Sequence, residues 1–178
     1  GPVTLGTFSD PRTVAGCRAC VLLAVAFSWV NPVISPHLEE TLGVGPEGVG
    51  AVFAIIPLVY AVLSPAAGAA ADRLGPRPVM LVGTWLMAAS YFVVGPAPAL
   101  TRASPRGLEA GTAGAWASQL CAFAAFGAGA AAAFVPVLPL MQSGVEHLGP
   151  GAQDRVSGLY NTLYYAGEVV GAPLRAAG

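Results

Sequence analysis

The chain has 178 residues, of which 55% are hydrophobic and only 10% are charged, and its formal net charge is −1. Soluble domains carry about 25% charged residues, so this chain cannot cover a water-facing surface in the usual way. Its cations are all arginines, and the balance gives no basic surface for nucleic acid. The composition therefore favours an integral membrane protein whose partner is the lipid bilayer.

Long apolar runs follow one another along the chain. A helix needs about 20 apolar residues to cross a bilayer, and residues 49–71, 78–98 and 115–141 reach that length without a charged residue. Residues 19–38 and 156–175 are more polar, and the alternative for these two is a buried helix of a soluble protein. Together the five runs predict an all-α polytopic membrane protein with five transmembrane helices.

Five spans place the two ends of the chain on opposite sides of the membrane. One side receives residues 1–18, 72–77 and 142–155, with five arginines, whereas the other receives 37–48, 101–114 and the C-terminal end, with three. Short cytoplasmic loops carry an excess of arginine and lysine. The first side is therefore predicted to be cytoplasmic.

The most polar short stretch, GAAADRLGPRP, joins the second and third predicted spans on that side. Its two prolines forbid one continuous helix, and Gly75 supplies a turn position. Asp72 stands at the end of a helix, where the helix dipole disfavours an anion. It therefore needs a partner, and Arg73, Arg77 and the N-terminus of another helix are the candidates. The alternative is a solvated loop that obeys the positive-inside rule.

The pattern G-x-x-x-D-R-x-G-x-R in this stretch resembles the signature between the second and third helices of each half of major facilitator superfamily transporters. Gly68, Asp72, Arg73, Gly75 and Arg77 match it. The position after Gly75 departs from it, because the family usually has a basic residue where this chain has proline. The resemblance implies a cytoplasmic latch that holds helix ends together in one state, and a transporter that works by alternating access.

A finer resemblance runs through most of the chain. The stretches WVNPVISPHLEETLGV, VGAVF, SPAAGAAADRLG, GPAPAL and FVPVLPLM occur in that order. They resemble the C-terminal half of the vesicular amine and polyamine transporter branch, solute carrier family 18. N-terminal halves usually carry a helix-four arginine, and none precedes Gly127 and Gly129. The resemblance implies a fragment with spans seven to eleven of a twelve-span bundle, whose missing N-terminal half would be a partner. The implied activity is proton-coupled antiport of an amine or polyamine.

The stretch GEVVGAP, residues 167–173, resembles the glycine–proline motif that antiporters of this superfamily carry in the fifth helix of a half. Small residues let helix backbones approach closely in lipid. Gly167 and Gly171, with Pro173 at the end, are therefore predicted to form a helix-packing face. The run GAGAAAA in the fourth span is expected to pack in the same way.

Ionisable groups inside membrane spans are costly, so they are candidates for function. Glu168 lies near the middle of the last span and is a candidate for proton coupling or cation binding. The alternatives are a neutral carboxyl, a pair with Arg175, or a carboxyl that faces the lipid headgroups. Asn31 precedes Pro32 in the first span, where a broken helix can expose carbonyls to a central cavity. Asn cannot carry a proton, whereas the branch that this stretch resembles tends to be acidic there.

Three further side chains are candidates for the path of the solute and protons. Glu39 and Glu40 are expected at the non-cytoplasmic mouth, where they either attract cations or form a solvated helix end. Tyr164 recurs at helical spacing with Tyr160 and Tyr165, and these rings either offer cation–π contacts to an amine or pack within the bundle.

No motif points to a cofactor or to catalysis. Cys17 and Cys20 form C-x-x-C without a second pair or a nearby histidine, so no metal site is predicted. Neither a phosphate-binding glycine loop nor a nucleophile elbow is present. The sequence therefore predicts a transporter rather than an enzyme, in a vesicular, vacuolar or plasma membrane. A non-transporting membrane scaffold is the alternative, and a membrane-embedded enzyme has less support because the polar residues are scattered.

Overall fold

A computed structural model describes residues 10–94 and 112–174, without the side chains of residues 29–33, 40–41, 150 and 172–174. Within those ranges every regular element is a helix, which confirms the predicted all-α class. The helices are α1 (Pro11–Leu42), α2 (Pro46–Phe53), α3 (Ile55–Leu74), α4 (Pro76–Val94), α5 (Ala113–Phe134), α6 (Val137–Ser143) and α7 (Pro150–Leu174), and a short 3₁₀ helix (Glu146–Leu148) precedes α7.

Four helical stretches of the described ranges are long and apolar enough to cross a bilayer. They lie at Pro11–Ser28, Pro46–Leu74, Pro76–Val94 and Ala113–Ser143, and they overlap the first four predicted spans. The helix α7, which carries the predicted fifth span, is not among them because its asparagine, glutamate and tyrosines lower its hydropathy. The membrane boundaries of the five spans, and the crossing of α7, stay predictions.

The first helix begins earlier than the predicted span at 19–38. Asp10 is its N-cap, and the Asp10 carboxylate accepts a hydrogen bond of 2.7 Å from the backbone N–H of Arg12. Pro11 takes the first helical position, where its missing N–H costs nothing. Gly43 ends the helix with a φ of 67°. The helix therefore carries the charge of Arg12 in its own first turn.

Prolines divide two of the predicted spans into pairs of helices. The span at 49–71 is interrupted at Ala54, because Pro57 has no N–H for the carbonyl of Phe53. The span at 115–141 is interrupted at residues 135–136, where Pro136 and Pro139 remove two further donors. Each interruption lies beside a cavity described below.

The helices form two packed groups. The helix α5 packs on α3 and α4, whereas α1 packs on α7 and α6. Aromatic rings join the groups: the Phe27 ring centroid lies 5.8 Å from that of Phe126 and 6.1 Å from that of Phe134. The Tyr91 hydroxyl of α4 donates a hydrogen bond of 2.6 Å to the carbonyl of Ala26 in α1. The core thus sits around α5, and both cavities open where the groups meet.

The helices α4 and α5 approach each other closely at Gly83, opposite the small residues of the GAGAAAA run. A Cβ atom at Gly83 would lie 2.6 Å from the carbonyl oxygen of Gly129 and 2.5 Å from the backbone nitrogen of Ala133. Because these are backbone atoms, they cannot move aside as a side chain can. This is the close packing expected of small residues in lipid.

We expect Gly83→Ala to destabilise the bundle by about 1–3 kcal/mol, the usual cost of overpacking a well-packed core. Gly158→Ala is the matched control, because a Cβ atom there meets nothing within 4 Å. Thermal unfolding in detergent should show a lower Tm for Gly83→Ala and no loss for Gly158→Ala. Equal melting of the two variants would contradict the close contact.

Candidate functional site

The polar stretch between the second and third predicted spans is helical almost throughout. A single residue, Gly75, separates α3 from α4, and its φ of 88° lies in a region that side chains rarely adopt. Asp72 and Arg73 therefore belong to the last turn of α3. Pro76 begins α4, and Arg77 lies in its first turn. The predicted loop at 72–77 is thus reduced to one residue.

Several residues of the motif line a cavity of about 620 Å³, called here the arginine cavity. Gly68, Asp72, Gly75 and Arg77 contribute to it, and Arg12 of α1 lines it too, whereas Arg73 does not. Val135 and Pro136, between α5 and α6, also line it, and so does Ser143 at the end of α6. Segments from all three regions predicted to be cytoplasmic therefore meet at one place.

Asp72 is exposed and has no ion pair within the described ranges. The two arginines of the motif, which sequence analysis offered as partners, therefore leave it unpaired. Gly68 leaves open space beside it, since a Cβ atom there would meet only Val135 at 3.9 Å. The remaining predicted partner is the N-terminus of another helix.

A second cavity, of about 610 Å³, lies between α1, α3, α5 and α7 and is called here the aromatic cavity. Four tyrosines and three phenylalanines line it: Phe27, Phe53, Tyr60, Phe134, Tyr160, Tyr164 and Tyr165. The rings are fixed edge to face, with 5.9 Å between the centroids of Phe134 and Tyr164. Tyr60 lines the cavity from α3, whereas Tyr160, Tyr164 and Tyr165 line it from α7.

Glu168 does not line the aromatic cavity but lies one helical turn beyond Tyr164. Its carboxyl interacts with the Tyr164 hydroxyl, and the residue is half-buried. Its backbone carbonyl accepts a hydrogen bond of 3.1 Å from the hydroxyl of Ser28 in α1. Arg175, the predicted alternative partner of Glu168, lies outside the described residues. The carboxyl is thus placed next to the tyrosines and held there through the backbone.

The glycines of the GEVVGAP stretch face α1. A Cβ atom at Gly167 would lie 2.9 Å from the carbonyl oxygen of Val21, and one at Gly171 would lie 3.1 Å from that of Val25. These two glycines bring α7 against α1. Glu168 lies between the two glycines in the sequence, so their packing sets its position. Pro173 belongs to α7, and its side chain lies outside the described part of the chain.

Of the remaining candidates near the first span, the structure describes the side chain of Glu39. The helix α1 continues through Asn31 and Pro32, so the break suggested there does not occur. The side chains of Asn31 and Glu40 lie outside the described residues. Glu39 is exposed near the end of α1, and its carbonyl accepts a hydrogen bond of 3.0 Å from Gly43. It lines neither of the two cavities.

Sequence reasoning missed Arg12 and Tyr60. A signal for Arg12 was available, because Asp10 followed by Pro11 is a typical helix start and puts this arginine in a first turn. Tyr60 had no local signal, since one tyrosine in an apolar run is unremarkable. Within the described ranges, no group of three His, Cys, Asp or Glu side chains could hold a metal ion, and Cys17 and Cys20 are free thiols.

Residues 19–104 match the family model described as Major Facilitator Superfamily. The matched range contains α1 from residue 19 onwards, α2 to α4 and the whole Gly68–Arg77 motif. The match supports a member of the major facilitator superfamily and, in general, a membrane transporter. No curated protein and no solved structure matches the chain. The resemblance to the vesicular amine and polyamine branch stays a prediction.

Proposed function

We propose that the chain contributes one half of a secondary active transporter that exchanges a small organic cation, an amine or polyamine, for protons. The observation that carries this proposal is the aromatic cavity with Glu168 one turn beyond it. Tyrosine and phenylalanine faces attract a desolvated ammonium group. A carboxyl inside a predicted span can take up a proton or balance the cation.

Tyr60 and Tyr164 are the residues on which the solute-binding part of the proposal depends most. They reach the cavity from α3 and α7, which belong to the two different helix groups. An ammonium between them would contact rings on both sides. Because the walls come from both groups, occupation of the cavity would respond to their relative position.

Alternating access requires a second half, and the missing N-terminal half is the proposed partner. The latch would then form at the Asp72 edge of the arginine cavity, where unpaired Asp72 would accept the positive end of a helix from that half. The missing side chain at Gly68 leaves room for such an approach. The transporter would be a multi-pass protein of a vesicular, vacuolar or plasma membrane.

We expect the full-length protein, reconstituted in vesicles with a pH gradient, to accumulate an amine or polyamine and not a neutral solute of the same size. Tyr60→Leu and Tyr164→Leu should raise the KM for that cation about two- to thirtyfold, because each loses a cation–π contact of about 0.5–2 kcal/mol. Phenylalanine at either position should retain most of the affinity.

Phe92→Leu is the matched control, because Phe92 is 72% exposed on α4 and lines neither cavity. It should leave the KM unchanged. The solute proposal would be refuted by uptake of neutral solutes alone, or by equal KM values in the Tyr60→Leu, Tyr164→Leu and Phe92→Leu proteins.

A further inference from the structure

The arginine cavity has an excess of positive charge in its lining. Its lining contains two guanidinium groups, of Arg12 and Arg77, and one carboxylate, of Asp72, which gives a formal charge of +1. Arg12 and Arg77 are exposed, and neither forms an ion pair within the described ranges. Their charges are therefore available to an anion.

The helix geometry strengthens this preference for an anion. Arg12 lies in the first turn of α1 and Arg77 in the first turn of α4, where the helix dipole already favours negative charge and disfavours a cation. An anion between the two arginines would relieve both unfavourable placements. Asp72 cannot do this alone, because it lies in the last turn of α3 and pairs with neither.

The other walls of the cavity are apolar apart from Ser143. Val135 and Pro136 line it from the turn between α5 and α6, Pro139 and Leu140 line it from α6, and Pro76 and Pro78 line it from α4. A free inorganic anion would gain nothing from such walls, whereas a molecule with an anionic head and an apolar chain would contact both parts. The cavity also lies at the helix ends predicted to face the cytoplasm, where anionic lipids are enriched.

We propose that the arginine cavity binds the headgroup of an anionic phospholipid, with Arg12 and Arg77 on its phosphate and the upper acyl chain along Val135 and Leu140. Basic pockets between transmembrane helices on the cytoplasmic side bind such headgroups. Asp72 repels the phosphate, so the lipid exchanges with the surrounding bilayer. The site depends on the predicted membrane orientation, and not on the solute or on proton coupling.

Native mass spectrometry of the purified full-length protein tests this site, with phosphatidylglycerol and phosphatidylcholine of identical acyl chains added in turn. The expected result is selective retention of phosphatidylglycerol. Arg12→Gln and Arg77→Gln should each weaken its retention about fivefold. An arginine near an anionic lipid surface contributes about 1 kcal/mol of binding free energy, which corresponds to that factor. Asp72→Asn should strengthen retention, because it removes the opposing charge.

Arg18→Gln and Arg155→Gln are the matched controls. Both arginines are exposed on the predicted cytoplasmic side, and neither lines the cavity. Equal loss in these controls would indicate a general surface attraction and overturn the site. Displacement of the lipid by millimolar inorganic phosphate would indicate a free-anion site instead.

Unchanged retention in the Arg12→Gln/Arg77→Gln protein would also overturn the proposal. Size-exclusion elution and circular dichroism check that this double variant is folded. The Asp72→Asn protein keeps both arginines and therefore tests the site independently of the folding of the double variant. Because lipid retention is measured without transport, a failure here is distinguishable from a failure of the proposed transport activity.

Discussion

Replacing Glu168 with glutamine is expected to abolish the accumulation of solute that a pH gradient drives, while exchange of solute at equal pH continues. Glutamine has nearly the same shape as glutamate but cannot release a proton. One pH unit is a tenfold difference in proton activity, so exchange of one proton can support an accumulation of about tenfold. That accumulation should fall to none in the variant.

The structure indicates that this substitution tests coupling rather than folding. The contact that fixes Glu168 against α1 uses its backbone carbonyl, which accepts from Ser28, and glutamine keeps it. Packing at Gly167 and Gly171 is also unaffected. A loss of accumulation with normal expression would therefore be a loss of the proton-carrying group.

Glu146→Gln is the matched control for this experiment. Glu146 is exposed in the 3₁₀ helix and lines neither cavity, so its neutralisation should leave accumulation unchanged. If Glu168→Gln still accumulates solute against the gradient, Glu168 has no part in coupling. If Glu146→Gln loses accumulation as well, the effect is one of general charge.

Asp72→Asn is expected to impair transport while membrane insertion stays intact. A carboxylate at the positive end of a helix contributes about 0.3–1 kcal/mol, and up to about 2 kcal/mol when partly buried. Its loss would change the ratio of the two access states by about two- to thirtyfold. Uptake rates in vesicles, normalised to the amount of inserted protein, measure this effect.

Asp154→Asn separates the latch from a general change of surface charge. Asp154 is exposed near the start of α7, on the same predicted side, and does not line the arginine cavity. Its uptake rate should equal that of the unaltered protein. Unchanged uptake in Asp72→Asn, or an equal loss in both variants, would remove the latch interpretation.

The sequence predicted the helical class and the approximate position of the apolar helices, because length and hydropathy decide both in a bilayer. It also located the polar junction around Asp72, since charge and helix breakers are local signals. It could not show that the junction is a single residue. Helix length depends there on Gly75 adopting a positive φ, which the sequence permits but does not require.

The parts of the candidate site that sequence reasoning missed depend on long-range contacts. Arg12 and Asp72 line one cavity although sixty residues separate them in the sequence. Tyr60 and Tyr160 line the other although they are a hundred residues apart. Periodicity places a side chain on a face of its own helix, but it does not say which helix lies opposite. The two helix interruptions were not predicted either. The prolines are visible in the sequence, but the sequence does not say which of them interrupt a helix.

The single-residue junction has a mechanical consequence. With only Gly75 between them, α3 and α4 have no slack, so a displacement at the Asp72 end of α3 must be taken up by the first turn of α4. The backbone contact at Gly83 passes that displacement to α5, and α5 carries Ala130 and Phe134 in the wall of the aromatic cavity. The junction, α4 and α5 therefore connect the two cavities mechanically, and the connection reaches the aromatic cavity at Ala130 and Phe134.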